Sequence, residues 1–304
     1  RDEAAWKQLL EIYLTDSNPV ARQGALVVLE TISSFGMRPF CRRLGSLKLS
    51  ESSVLFHLVE RLKVVSKDSL IDLVSDDDAE VRLGAMMLLS KFPTPKAASI
   101  LAEQLVSSSS AHRLVAVTAL AGAPSLEAGI ALRGTLVDKD EAVVAYAVAA
   151  LKALNLLNST DVANLLAHES DNVRIVAASA SENLSFQDSV VLIEPLLADK
   201  SLFVRRAAAH VFARHGKKGN DLLLHRLNSA TVTDRGIILG AFVNTHDQRA
   251  IAALGEGLMA EDAGVRLASQ VALSSCGERG FSWLAKAVTH SRTETREAAV
   301  VILS

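Results

Sequence analysis

Aromatic residues are scarce in this chain, 4% of its 304 residues, with two Trp and two Tyr. A thick globular core needs large rings to fill it, so thin layers of Ala, Leu and Val are the expected interior. Cysteine is almost absent. Cys41 and Cys276 stand far apart, which excludes a disulfide framework and leaves each as a small buried apolar residue. An excess of one charge is missing too: 32 Lys and Arg face 34 Asp and Glu, a net charge of −2. That balance gives no global attraction to nucleic acid or to an anionic membrane, and no nucleic acid is expected as partner. Long apolar runs are absent. The longest, Val143 to Leu157, is broken by Lys152, too short for a transmembrane segment.

What the sequence has instead is a ruler. Arg82, Arg113, Arg174, Arg205, Arg235, Arg266 and Arg296 recur every 30 or 31 residues or twice that, with Val144 filling the one empty slot. Three residues beyond each mark lies a mostly small side chain: Ala85, Ala116, Ala147, Ala177, Ala208, Ile238, Ser269 and Ala299. Seven beyond lie Leu89, Leu120, Leu151, Ser181, Phe212, Phe242, Leu273 and Leu303. A fixed period of this size means one supersecondary unit stacked many times.

Each unit reads as two helices. From Asp77 to Leu89 the apolar residues Val81, Ala85, Leu88 and Leu89 follow one helical face behind an acidic N-cap. After Pro93-Thr94-Pro95 a shorter helix runs from Ala97 to Val106. Later second helices are expected at about 125–137, 159–168, 187–198, 217–228, 247–260 and 278–290. Arg22, Ala25 and Leu29 mark a first unit. Val54, Leu58 and Leu62 carry the same apolar phase in a second unit, where Leu55 replaces the arginine and the spacing is 33 then 27 residues. Ten helices of each type follow, the second type beginning with Asp2 to Leu14. The expected architecture is therefore all-α: one repeat solenoid over residues 1–304. The opening at Arg1 and the close at Ser304 inside an apolar run suggest a piece of a longer protein.

The pattern acidic-x-x-x-Val-Arg-x-x-Ala, as in Asp77 to Ala85 and Asp199 to Ala208, resembles the HEAT-repeat superfamily. The 30–31-residue spacing is most similar to the short bacterial-type HEAT-like repeats associated with phycobilin lyases. The resemblance implies an α-α superhelix, first helices convex and second helices concave. It also implies that the arginines, Arg22 included, form a structural ladder that ties layers to the acidic turns at Asp16, Asp77, Asp138, Asp171, Asp199 and Asp262.

Outside the ladder two basic stretches are candidates for partner binding. Arg38, Arg42, Arg43 and Lys48 lie in a segment without carboxylates. Arg206, Arg214, Lys217 and Lys218 lie in another, with Lys200, His210 and His215. Single-sign patches of this kind steer acidic partners. Trp283 is a third candidate, since Trp anchors interfaces. It shares a column with the apolar Ile100, Ala131, Leu192, Leu222 and Ala253, which points to packing. Pro195 inside a second helix should bend it.

Catalytic signals are missing. Deoxyhypusine hydroxylase, a HEAT-type metalloenzyme, carries paired His-Glu motifs, and only His168-Glu169 matches here. His210 and His215, five apart, lie off the i, i+4 geometry of a zinc pair. Cys41 has basic neighbours able to lower its pKa, but no histidine is placed beside it. No cofactor or metal is expected. The leading functional expectation is a non-catalytic scaffold that binds a protein, a peptide or an adjacent domain of its own chain through the concave surface, in the cytoplasm. Two alternatives remain: a nucleic-acid-binding protein of the alkylpurine DNA glycosylase type, and an auxiliary subunit of the phycobilin lyase type.

Overall fold

Asp78 shows why a first helix begins where it does. Its backbone is extended, and its carboxylate accepts the amides of Glu80 and Val81 at 2.9 and 3.4 Å, so the Ala79–Lys91 helix starts immediately after it. Asp140 and Asp262 do the same for Glu141–Ala153 and Ala263–Ser274. Second helices are capped by other side chains: Ser125 for Leu126–Gly134, Asn158 for Ser159–Leu166, Ser185 for Phe186–Leu192 and Asp247 for Gln248–Leu258. Several second helices tighten into 3-10 segments, Gln104–Val106, Thr135–Val137 and Glu194–Ala198. At Pro195 the expected bend is a break: the α-helix ends at Leu192 and a 3-10 segment opens at Glu194, with proline where no amide donor is needed.

The computed structural model describes residues 2–31, 37–47, 55–58, 67–92 and 94–303. Among these every regular element is helical, and the fold is all-α, of the α-α superhelix class. Two compact units divide the chain, Arg1–Leu157 and Asn158–Ser304. In the first, the first-type helices Met37–Ser46, Ala79–Lys91, Ser110–Ala121 and Glu141–Ala153 stack in that order. In the second, Asp171–Ala180, Leu202–Arg214, Val232–Ala241, Ala263–Ser274 and Thr293–Leu303 do likewise.

The two apolar columns are the core of both units. Every member of the Ala85 column is buried, the least so being Ile238 at 5% exposure. In the Leu89 column all are buried except Leu303. Small residues three past the mark set the layer spacing, and larger ones seven past it fill the space between first and second helices.

One expectation in the first unit falls largely outside the described residues. Val54, Leu58 and Leu62 were to supply the first-type helix preceding Ala79–Lys91. Val54 and Leu62 lie outside the described residues; among the described helices that precede it, Met37–Ser46 is the one that layers most extensively on Ala79–Lys91. Small residues make the approach possible. A Cβ on Gly84 would fall on the Cys41 carbonyl, and one on Gly45 on the Glu80 carbonyl. Trp6, 2% exposed, closes the other side edge-on to Phe40 with ring centroids 5.7 Å apart.

Candidate interaction surfaces

The arginine column is built on a repeated turn. Asp76, Asp138 and Asp199 each accept the amide two residues on, from Asp78, Asp140 and Ser201. Ser107, His168 and His290 fill the same role for Ser109, Ser170 and Arg292. The arginine six residues after the turn acceptor donates Nη1 back to that turn. Arg113 reaches the Ser107 carbonyl at 2.9 Å, Arg174 that of His168 at 2.8 Å, Arg205 that of Asp199 at 2.7 Å and Arg296 that of His290 at 2.8 Å. Arg22, Arg82 and Arg266 reach Asp16, Asp76 and Ala260 in the same way.

A subset also spans to the next repeat. Arg113 donates Nε and Nη2 to the two oxygens of Asp138 at 2.7 and 2.8 Å, and Arg174 makes the same fork on Asp199 at 2.8 and 2.8 Å. Arg205 pairs with Asp234 at 2.8 Å. Arg82 has Ser107 where Arg113 has Asp138, and it donates Nη1 to the Asp76 and Asp77 carbonyls of its own turn. Arg235 is exposed, and Val144 is buried with the core. Burial is the largest single influence on the Asp138 and Asp199 carboxyls and raises them. The arginine forks, the turn amides and the surrounding positive charge outweigh it and hold both below the usual carboxylate range.

The first basic stretch is paired residue by residue. Arg38 forks onto Asp76 at 2.8 and 3.0 Å with the same atoms as Arg113 on Asp138. Arg42 bonds Asp78 at 2.8 Å, and Arg43 meets Glu11 at 2.9 Å. Arg38 thus stands as an arginine mark, with Cys41 three residues on as its small core residue. Lys48 lies outside the described residues. Cys41 itself is buried, and burial first, then the Asp76 charge, pushes its thiol up to about 12. The basic neighbours do not activate it.

The second basic stretch is different. Arg206, Arg214, Lys217 and Lys218 are all exposed. Arg214 approaches Glu182 at 3.4 Å and Lys218 sits 5.9 Å from the Phe186 ring centre. His215 turns inward, its Nε2 2.8 Å from Ser189 Oγ, while His210 remains on the surface. Trp283 is half-buried, its ring in the space a Cβ on Gly255 would occupy, with Lys286 Nζ 4.4 Å from its centre. His168 is engaged in its turn. Among the described residues no group of three or more His, Cys, Asp or Glu gathers as metal ligands would, and no helix is long and apolar enough to cross a membrane.

Sequence reasoning missed a set of exposed aliphatic residues on second-helix elements. Val106 and Val137 occupy equivalent positions, 88% and 87% exposed. Leu126 and Ile130 lie one turn apart on one helix, 78% and 62% exposed, and Val191, at the position equivalent to Ile130, is 72% exposed. The signal was there: these residues fall outside both core columns.

Two-helix units stacked on small residues and tied by arginines define a helical-repeat scaffold. Residues 67–152 match the family model described as HEAT repeats. The fold of the chain is similar to that of YibA from Escherichia coli, at 17% identity over 85% of this chain and 98% of that one, with a TM-score of 0.51. Kap95p, solved with RanGDP, is similar at 14% identity and a TM-score of 0.54 over 98% of this chain, which spans 44% of that one. The CpcE–CpcF complex of Nostoc phycocyanin lyase aligns at 18% identity over 79% of this chain and 94% of that one. Its TM-score of 0.43 is too low to carry an argument. No curated protein matches the sequence.

Proposed function

We propose that this protein is a non-catalytic scaffold that binds a protein, or an adjacent domain of its own chain, through the face made by its second helices. The observation that carries this reading is the exposure of Val106, Leu126, Ile130 and Val137 on the second-helix elements of the first unit, with Val191 exposed at the equivalent position of the second. Large aliphatic side chains repeated at one position on one face mark a surface that another protein covers. Apart from Arg235, which is exposed, the regular arginines are held by their own turns or by the next repeat. The unbroken sequence period from Arg113 through Val144 to Arg174 supports a single repeat array. Two buried free thiols, Cys41 and Cys276, suit a cytoplasmic setting.

The test is quantitative capture from source cells with wild type and an Ile130→Glu/Val191→Glu variant, both checked for native helicity. The reading expects a reproducible set of proteins to be retained by wild type and lost by the variant. An identical captured set contradicts it.

A further inference from the structure

The second unit carries two adjoining clefts on the side where its first helices end. One, of about 520 Å3, is lined by Gly216, Lys217, Asn220, Asn244, Thr245 and His246 among others. The other, of about 500 Å3, is lined by Ser179, Glu182, Ala207, His210 and Arg214 among others. Ala213, Ala241 and Val243 belong to both, so the clefts share one apolar floor. Val243 is 40% exposed there.

Three cations, Lys217, Arg214 and Arg249, and two carboxylates, Glu182 and Asp247, line the two clefts. The carboxylates at the rim are already engaged by arginines: Asp247 accepts Arg249 at 2.7 and 3.2 Å, Asp221 lies 2.6 Å from Arg249, and Glu182 lies 3.4 Å from Arg214. His210 and His246 also line the clefts and, like Lys217, are exposed, and Arg206 lies one turn before His210 on the same helix. Lys217 and Lys218 also sit in the first turn of Lys217–Leu227, where the helix dipole opposes positive charge. A carboxylate arriving there lowers the energy of an existing arrangement.

We infer that these clefts form a docking site for an acidic peptide segment of a partner protein, its carboxylates meeting Lys217 and the largely exposed Arg214, which Glu182 approaches only to 3.4 Å, and its aliphatic side chains covering Ala241 and Val243. The proposal rests on the protein-binding reading above and names a second surface with its own partner chemistry. A peptide fits better than a nucleic acid. The apolar floor offers a phosphodiester backbone nothing, whereas it accepts the aliphatic side chains of a peptide.

Fluorescence anisotropy with a labelled peptide alternating Glu with Ala and Leu tests it directly. Wild type should bind this peptide at least about tenfold more tightly than its Glu→Gln counterpart, with affinity falling as salt rises. Lys217→Glu/Arg214→Glu and, separately, Val243→Asp should each weaken binding by about tenfold or more. All three positions are exposed and the reversal at Lys217 favours the helix dipole, so the variants fold. Ile130→Glu/Val191→Glu should bind the peptide as wild type does. Equal binding of the Gln peptide, unchanged binding in both cleft variants, or a duplex DNA that outcompetes the peptide overturns the proposal. The capture experiment on the second-helix face is read independently, so either idea can fail alone.

Discussion

Arg174 and Asp199 face each other in a two-pronged bridge, Nε and Nη2 each 2.8 Å from a carboxylate oxygen, across 25 residues of sequence. Arg113 and Asp138 repeat it at the same separation, with side chains 4% and 9% exposed. Ions this buried have given up water, so the worth of the pair lies in not breaking half of it. Asp138→Ala should lower the stability of the first unit by about 3 kcal/mol in urea titration. Arg113→Met/Asp138→Leu, which removes both charges, should cost far less than Asp138→Ala. A double variant as unstable as the single one contradicts this.

The converse change adds a bridge. Ser107 stands in front of Arg82 as Asp138 stands in front of Arg113, and already accepts the turn amide from Ser109. Ser107→Asp should supply the missing fork and raise the unfolding midpoint, by about 1 kcal/mol in free energy. An unchanged or lower midpoint contradicts the assignment of that turn position.

Gly84 tests the packing of Met37–Ser46. A methyl group there meets the Cys41 carbonyl, which is backbone and cannot rotate away. Gly84→Ala should therefore destabilise the first unit by roughly 2 kcal/mol, against the usual helix-propensity gain for that substitution. Hydrogen exchange should show faster opening of both helices.

Acid should act in two windows. Burial holds His215 below its ordinary value, and partial desolvation by neighbouring side chains, with the Arg206 charge, does the same for the surface His210. The unfolded chain then takes up protons first as pH falls through about 6.5, and stability declines there. Asp138 and Asp199 work the other way. Their folded values lie below the unfolded value of about 3.9, so their contribution is complete above it and is lost as pH falls through the folded values. A His210→Asn/His215→Asn variant should flatten the first decline and keep the second. Persistence of the first decline contradicts the assignment.

The columns of small and large residues were readable in the sequence because each side chain packs on its equivalent one repeat away, and that geometry repeats with the period. The position of Met37–Ser46 was not, since Arg38 lies 44 residues before Arg82 and breaks the ruler. Arg38, Arg42 and Arg43 looked free for the same reason: Asp76, Asp78 and Glu11 are remote in sequence and become neighbours when the helices layer. The exposed Ile130 and Val191 lay in plain view but outside the columns, and a search for order passes over what the order leaves uncovered.

The claim beneath the whole account is that Arg113, Arg174 and Arg205 fasten one repeat to the next and leave binding to other surfaces. A double-mutant cycle on Arg174 and Asp199, measured by denaturant unfolding of the full chain, tests it most directly. The account predicts a coupling energy of about 2 kcal/mol or more. A coupling below about 0.5 kcal/mol, the level of independent sites, would contradict it.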